Sequence, residues 1–316
     1  VALSGAALFG GPEAWSQLVP DTKEPKQYGP GVSLAGLQVF PRDNPWNQDV
    51  STRPVDRLSQ RILARVGLDK PLHPEFGTVY QGAPSGIPYV VVPRTQRKVP
   101  VRFRIAEESD PGPYPVPPDA PIEGGPEGRG DRHVLIVDRD HGRLYELFAA
   151  RPISGGRAWE AGGGAIFDLN SNRLRPAGWT SADAAGLPIF PGLVRYDEVV
   201  EQGVVRHAFR FTVVRTRRAY VHPARHYASR LTEPDLPPMG MRVRLKASYD
   251  TSRFPPQARV ILEALKSHGM ILADNGGDWF IGGAPDPRWD DEDLATLKRV
   301  KVGDFEVVEM RGLVTR

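Results

Sequence analysis

The chain contains no cysteine, so disulfides and thiolate metal sites are excluded over all 316 residues. That absence does not assign a compartment, because a chain of this length builds its core without covalent staples. No stretch reaches the roughly 18 consecutive apolar residues that a membrane-spanning helix needs. Charge of one sign is also lacking. The 41 Lys and Arg are interspersed among 38 Asp and Glu, for a net charge of +3. A concentrated basic face for nucleic acid is therefore not expected. Several signatures are missing as well: the Gly-x-Ser-x-Gly elbow, the Walker A loop, and Gly-x-Gly-x-x-Gly between a strand and a helix. Gly162-Gly163-Gly164 precedes a strand rather than a helix, so it is no phosphate cradle. No internal repeat of fixed period is present.

What is there reads as a folded protein, with 40% apolar and 25% charged residues. Residues 1–38 carry many Gly and Pro with little periodicity and read as an N-terminal extension. Residues 39–316 read as a single β-rich domain, entered at Phe40 through the Asp43-Asn44-Pro45 turn and the Trp46 anchor. Helices are expected at Val55–Val66, Ser181–Leu187, Gln257–His268 and Asp290–Arg299, from apolar spacing and end signals. Strands are expected at Tyr89–Val92, Val99–Ile105, Ala165–Asp168, Arg206–Val214, Ala219–His222, Met241–Ala247 and Met270–Asp274. His133–Asp138 and Arg143–Phe148 flank an Asp/Gly turn, the clearest hairpin in the chain. Residues 110–130 are dense in Pro and Gly, and loops of that length often carry function. Many short strands with three or four peripheral helices predict a mainly β (α+β) protein with a β-sandwich or jelly-roll-like core.

Several motifs carry a resemblance. They are Phe40-Pro-Arg-Asp-Asn-Pro-Trp-Asn47, Gly130–Val137, Ala165-Ile-Phe-Asp-Leu-Asn-Ser-Asn172, Gly178-Trp-Thr-Ser-Ala-Asp-Ala-Ala-Gly-Leu-Pro188, Gly192–Glu198, Met270–Gly276 and Gly283–Trp289. From about residue 39 to 309 the chain resembles a family of uncharacterised proteins from soil bacteria that usually carry export signals. The resemblance implies secretion and supplies no mechanism.

Three constellations could carry chemistry. The first is Asp168, Asn170, Asn172, Arg175, Trp179, Thr180, Ser181 and Asp183. Carboxylates, amides and an aromatic ring are the mixture a sugar site needs, although Asn and Asp equally serve their own turns and caps. Asp168-x-Asn170-x-Asn172 begins like a calcium loop but lacks the glycine and the final acid, which leaves only a structural Ca²⁺ of another kind open and no other cofactor expected. The second is Tyr220, His222, Arg225 and His226, with His207 a possible neighbour; Pro223 interrupts any helical His-x-x-x-His clamp. The third is Asp274 with Trp279, at the end of an apolar strand, where an Asn-Gly hairpin turn is the plainer alternative.

These features point to a secreted enzyme acting on a polysaccharide or other extracellular polymer, with a glycoside hydrolase foremost. Asp168, Asp183 and Asp274 are the candidate carboxylates. Asn170, Asn172, Arg175, Trp179, Tyr220, Arg225, His226 and Trp279 are the candidate binding groups. A lyase on an acidic glycan is the enzymatic rival, with Tyr220 or His222 moving the proton. A non-catalytic surface protein that binds glycan or self-assembles is the rival from another class.

Overall fold

The computed structural model describes residues 27–315, so the start of the N-terminal extension lies outside the described residues. The chain is mostly strands in several mixed sheets, with few helices. One sheet has five strands in the order Gly29–Pro30, Tyr89–Val92, Val134–Asp138, Arg143–Phe148 and Gly163–Asp168. A second has six, in the order Phe305–Val307, Arg242–Leu245, Met270–Asn275, Phe209–Val213, Phe280–Gly282 and His73–Glu75. A small sheet combines Val101–Phe103, Ala158–Ala161 and Arg151–Ile153, and Val79–Tyr80 pairs with Ala83–Pro84.

The five-stranded sheet is covered on both faces, which is why its sequence reads as unbroken apolar runs. Successive side chains of a strand point to opposite faces. Accordingly Tyr89, Val91, Leu135 and Val137 enter the large core shared with the six-stranded sheet. Val90, Val92, Val134 and Ile136 enter a second core around Tyr114 and Trp159. The predicted hairpin is present, with Val134 opposite Leu147 and Asp138 opposite Arg143.

Several expectations need correction. Residues before Val39 already belong to the body: Gly29 and Pro30 pair with Val91 and Val90, and Leu34 is buried. The sheets are mixed rather than antiparallel throughout, so a jelly roll does not describe them. Tyr89–Val92 runs parallel to Val134–Asp138, and Phe209–Val213 runs parallel to Met270–Asn275. Ser181–Leu187 is not a helix. Ser181 Oγ accepts from the Asp183 N–H and donates to the Leu187 carbonyl, which folds the segment into turns, and Gly186 takes a left-handed conformation (φ 70°). Ala219–His222 is no strand, since only Tyr220 makes isolated bridges, to Met239 and Val314. The first helix is Ser59–Val66 rather than Val55–Val66, because Asp56 turns the chain through the Leu58 and Ser59 N–H groups. The last begins at Asp291, capped by the Asp290 carboxylate on the Glu292 and Asp293 N–H groups.

The loop after Met270–Asn275 is not a hairpin turn either. Strand Phe209–Val213 lies between Met270–Asn275 and Phe280–Gly282, and the Asn275–Asp278 loop crosses its end. Trp279, at the far side, is fully buried at φ 61°, edge-on to Phe211 (5.0 Å) and Phe305 (5.3 Å). It is a core residue and cannot stack on a ligand.

Ile271 has no exposed surface and lies between Arg210 and Arg242 in register. Ile271→Asp places an unpaired charge there, at a cost of several kcal/mol. The expected result is insoluble protein or loss of the cooperative melt; a normal melting temperature would show that the strand is not central.

Candidate functional site

Arg210 is the charged residue in the middle of a fully buried strand, Phe209–Val213. Phe209, Phe211 and Val213 face the large core, so Arg210 and Thr212 take the other face. The neighbouring strand carries a bulge: Phe211 opposes Leu272, but Thr212 opposes Asp274. Skipping Ala273 puts Asp274 on the face of Arg210 and Thr212. The freed Ala273 carbonyl accepts from the Ala185 N–H at 2.9 Å. This contact holds the Ser181–Phe190 segment against the sheet.

That segment delivers Asp183. Its carboxylate has no exposed surface and accepts two hydrogen bonds from Arg210, Nε at 2.9 Å and Nη2 at 2.6 Å. The pair is a bidentate fork, the strong geometry for these groups. Asp274 lies beside it. Burial, followed by the Asp183 charge, pushes the Asp274 carboxyl up to about 7, so it keeps its proton in mildly acidic solution. From the other sheet, fully buried Glu146 accepts from the N–H groups of Ile189 and Phe190 at 2.9–3.0 Å. Burial pushes it up to about 7 against those donors.

His133 is the second buried cation. Its Nδ1 is 2.7 Å from a Glu123 carboxylate oxygen and its Nε2 is 3.1 Å from the Ala182 carbonyl. Both ring nitrogens face acceptors, so both must carry protons. Burial opposes that charge, but Glu123 outweighs burial and the pKa is pushed up to about 9. Conversely burial alone would raise Glu123, yet His133 outweighs it and holds the carboxyl below its usual range. The bonded oxygen is Oε2, which also accepts from the His133 N–H at 3.2 Å.

These groups stand behind an open cleft of about 910 Å³. Glu75 and Glu123 both line it, together with Phe76, Tyr80, Phe280 and Gly282. Glu75 opposes Gly282 in register, and a Cβ on Gly282 would come within 2.9 Å of Arg210 Nη1. Arg210 therefore reaches from the Asp183 fork to the strand Phe280–Gly282, which pairs with the Glu75 strand. Glu75 is exposed to the cleft, but the surrounding walls displace bulk water from its carboxyl. That partial burial raises its pKa, with Glu123 adding to the effect and Arg210 opposing it. One cleft thus presents a carboxyl whose pKa is raised and a carboxylate whose pKa is lowered.

Of the three candidate carboxylates the structure brings together Asp183, fully buried, and Asp274, half-buried, and neither lines the cleft. Asp168 lies at the opposite end of strand Gly163–Asp168 from Gly163, which abuts Ser181. There it accepts from the Asn170 N–H and faces Arg143 at 3.7 Å. Asn172 donates to Asp43 and accepts from Asn44, while Asn170 packs on Gly142. Arg175 is buried, bonded to Asp110 and to the carbonyls of Glu108 and Thr180, and lies over the Trp179 ring. Arg225 donates to the Arg175 carbonyl, and the His226 ring lies 2.9 Å from the Ala184 carbonyl. These side chains support the Ser181–Phe190 segment. Tyr220 is buried, and His222 is exposed on a separate groove with Arg242 and Arg311. His207 bonds Glu198 in a third place. Among the described residues no group of three or more His, Asp or Glu is placed to hold a metal ion.

Sequence reasoning passed over Glu75, Glu123, His133 and Arg210. Two signals were available: an arginine at the centre of an apolar alternation, and the Pro/Gly-rich loop that holds Glu123.

Removing one partner of the buried fork strands the other charge, at a cost of about 3–5 kcal/mol. Arg210→Met should lose that much in urea denaturation, and Arg210→Met with Asp183→Leu should regain most of it. A single-variant loss below about 1 kcal/mol would contradict the fork. The pH dependence has a defined sign. Asp274, Glu146 and His133 all hold protons in the folded state at pH values where the unfolded chain releases them. Stability should therefore fall as pH rises, first from about 4 to 7 and again from about 6.5 to 9. Glu123 and Glu198, lowered when folded, remove stability on the acid side of their unfolded range. The maximum is expected at about pH 4, and Asp274→Asn should flatten the fall between about 4 and 7. A maximum at pH 8 would refute the assignment.

The chain matches no protein-family model, no curated protein and no solved structure.

Proposed function

We propose that the protein is a carboxylate-dependent glycoside hydrolase whose reacting pair is Glu75 and Glu123, in place of the three aspartates the sequence suggests. The observation that carries this reading is the opposed environment of two carboxyl groups lining one cleft. Glu75 has no bonded cation and its pKa is raised by partial burial, whereas Glu123 is anchored through Oε2 to a buried imidazolium. Pairs of titratable groups pushed apart in this way mark acid and base assignments. Glu75 is the general acid and Glu123 the nucleophile.

The chemistry balances as follows. Glu123 attacks the anomeric carbon while Glu75 gives its proton to the glycosidic oxygen, and the carbon–oxygen bond breaks. The leaving sugar departs with that proton. Glu75, now a carboxylate, takes a proton from water, whose oxygen displaces Glu123 from the anomeric carbon. Both carboxyl groups are then restored. His133 stabilises the Glu123 carboxylate as leaving group in this second step, and Arg210 limits how high the Glu75 pKa rises.

The two larger sheets facing one core support a sandwich-like architecture for such a protein. The resemblance to exported proteins supports an extracellular site of action on a polymer. An exposed aromatic at the cleft, Tyr80 on its two-stranded hairpin, favours a sugar-binding role even without turnover.

Hydrolysis should be followed as new reducing ends on a panel of polysaccharides. Glu75→Gln should lower kcat by about 10²–10⁴-fold. A 2-deoxy-2-fluoro glycoside of an accepted sugar should label Glu123, read by peptide mass spectrometry. Full activity in both Glu75→Gln and Glu123→Gln would overturn the proposal. Glycan binding without turnover in the native protein would leave the binding-protein reading.

A further inference from the structure

The cleft is lined by acids and cations alike. Two of its three acids are held, Glu123 by His133 and Asp291 by the Thr78 N–H and hydroxyl, while Glu75 has no bonded cation. Two exposed cations line the same cleft, Arg129 from the Gly-rich loop and Lys298 from the last helical turn. Neither side chain makes an ion pair among the described residues, although Arg, Lys, Asp and Glu pair widely elsewhere on this surface. They come from separate segments on the same cleft, so the placement is not a run of basic sequence. The same cleft carries ring faces: His73 stacks on Phe280 at 4.1 Å, and Tyr80 is exposed on its hairpin.

An oligosaccharide binding here meets ring surfaces for its faces, a proton donor and a nucleophile, and unneutralised positive charge. A neutral glycan leaves both cations without partners. A glycan of uronic acid units supplies them. We infer that the substrate is an acidic polysaccharide, its carboxylates bound by Arg129 and Lys298. The inference rests on the hydrolase reading of the same cleft, and it assigns that cleft a substrate class.

The test uses native protein and Glu75→Gln with oligomers of galacturonate, alginate and hyaluronan, and with neutral cello- and xylo-oligomers of matching length. Calorimetry on Glu75→Gln should show binding of at least one acidic oligomer that weakens as salt rises. Neutral oligomers should bind more weakly and without salt dependence. Arg129→Ala and Lys298→Ala, both at exposed positions, should each weaken acidic binding roughly two- to fivefold while leaving the melting temperature unchanged. Native protein should release reducing ends from the same acidic oligomer. Cleavage of a neutral glycan with no binding of any acidic one overturns the substrate class and leaves the hydrolase reading standing. Salt-dependent acidic binding without cleavage supports the substrate class and removes the hydrolase. No binding of any acidic oligomer, or acidic binding indifferent to both substitutions, overturns the inference.

Discussion

The fork between Arg210 and Asp183 joins two parts of the fold that are distant in sequence and holds the rest of the polar interior in place. Arg210 is fixed by the six-stranded sheet, and Asp183 by a segment that also reaches the five-stranded sheet through Glu146 and through the His133 contact with Ala182. A guanidinium cannot shed its charge in a protein interior, so its burial requires a carboxylate in a fixed geometry. That requirement dictates the turns of Ser181–Phe190, which a helix could not provide. It also accounts for the bulge at Ala273, which supplies a carbonyl to hold the segment and turns Asp274 to the same face.

Once the fork exists, the balance of charge around it is constrained. Five carboxyl groups, Glu75, Glu123, Glu146, Asp183 and Asp274, share the neighbourhood of two cations, Arg210 and His133. Asp183 and Glu123 each have a cation at bonding distance. The remaining three lack one, and loss of solvent without a bonded cation raises the pKa of each. The difference between Glu75 and Glu123 therefore follows from which acids the cations touch. The interior sets the chemistry of the cleft although most of it never meets solvent.

Much of the fold was legible in the sequence where one physical rule dominates. The hairpin Val134–Asp138 to Arg143–Phe148 and the helix Pro256–Ser267 follow from local turn chemistry and apolar spacing. Met270–Asn275 follows from an apolar run of strand length. What failed was decided by distant partners. Ser181–Leu187 has helical composition, but Arg210 claims the Asp183 carboxylate and the Ala273 carbonyl claims the Ala185 N–H. Asn275-Gly276 has the composition of a hairpin turn, yet the strand that fits beside Met270–Asn275 comes from residues 209–213. Asp183 and Asp274 were singled out because acids embedded among Gly and aromatic residues are unusual, and the structure sets both beside Arg210 in the polar interior. Glu75 left no local signal, and Glu123 only its place in the Pro/Gly-rich loop of residues 110–130. Their chemistry comes from His133 and Arg210, 10 and 135 positions along the chain.

The account depends most on the opposed ionisation of the two cleft glutamates. With the glutamate carboxyl carbons labelled with ¹³C, Glu75 and Glu123 can be assigned by their Gln variants and titrated from pH 2 to 9. Glu75 should titrate above the ordinary glutamate range and Glu123 below it, and His133→Phe should bring Glu123 back up. Two glutamates titrating together at the ordinary value, unmoved by loss of His133, would contradict it.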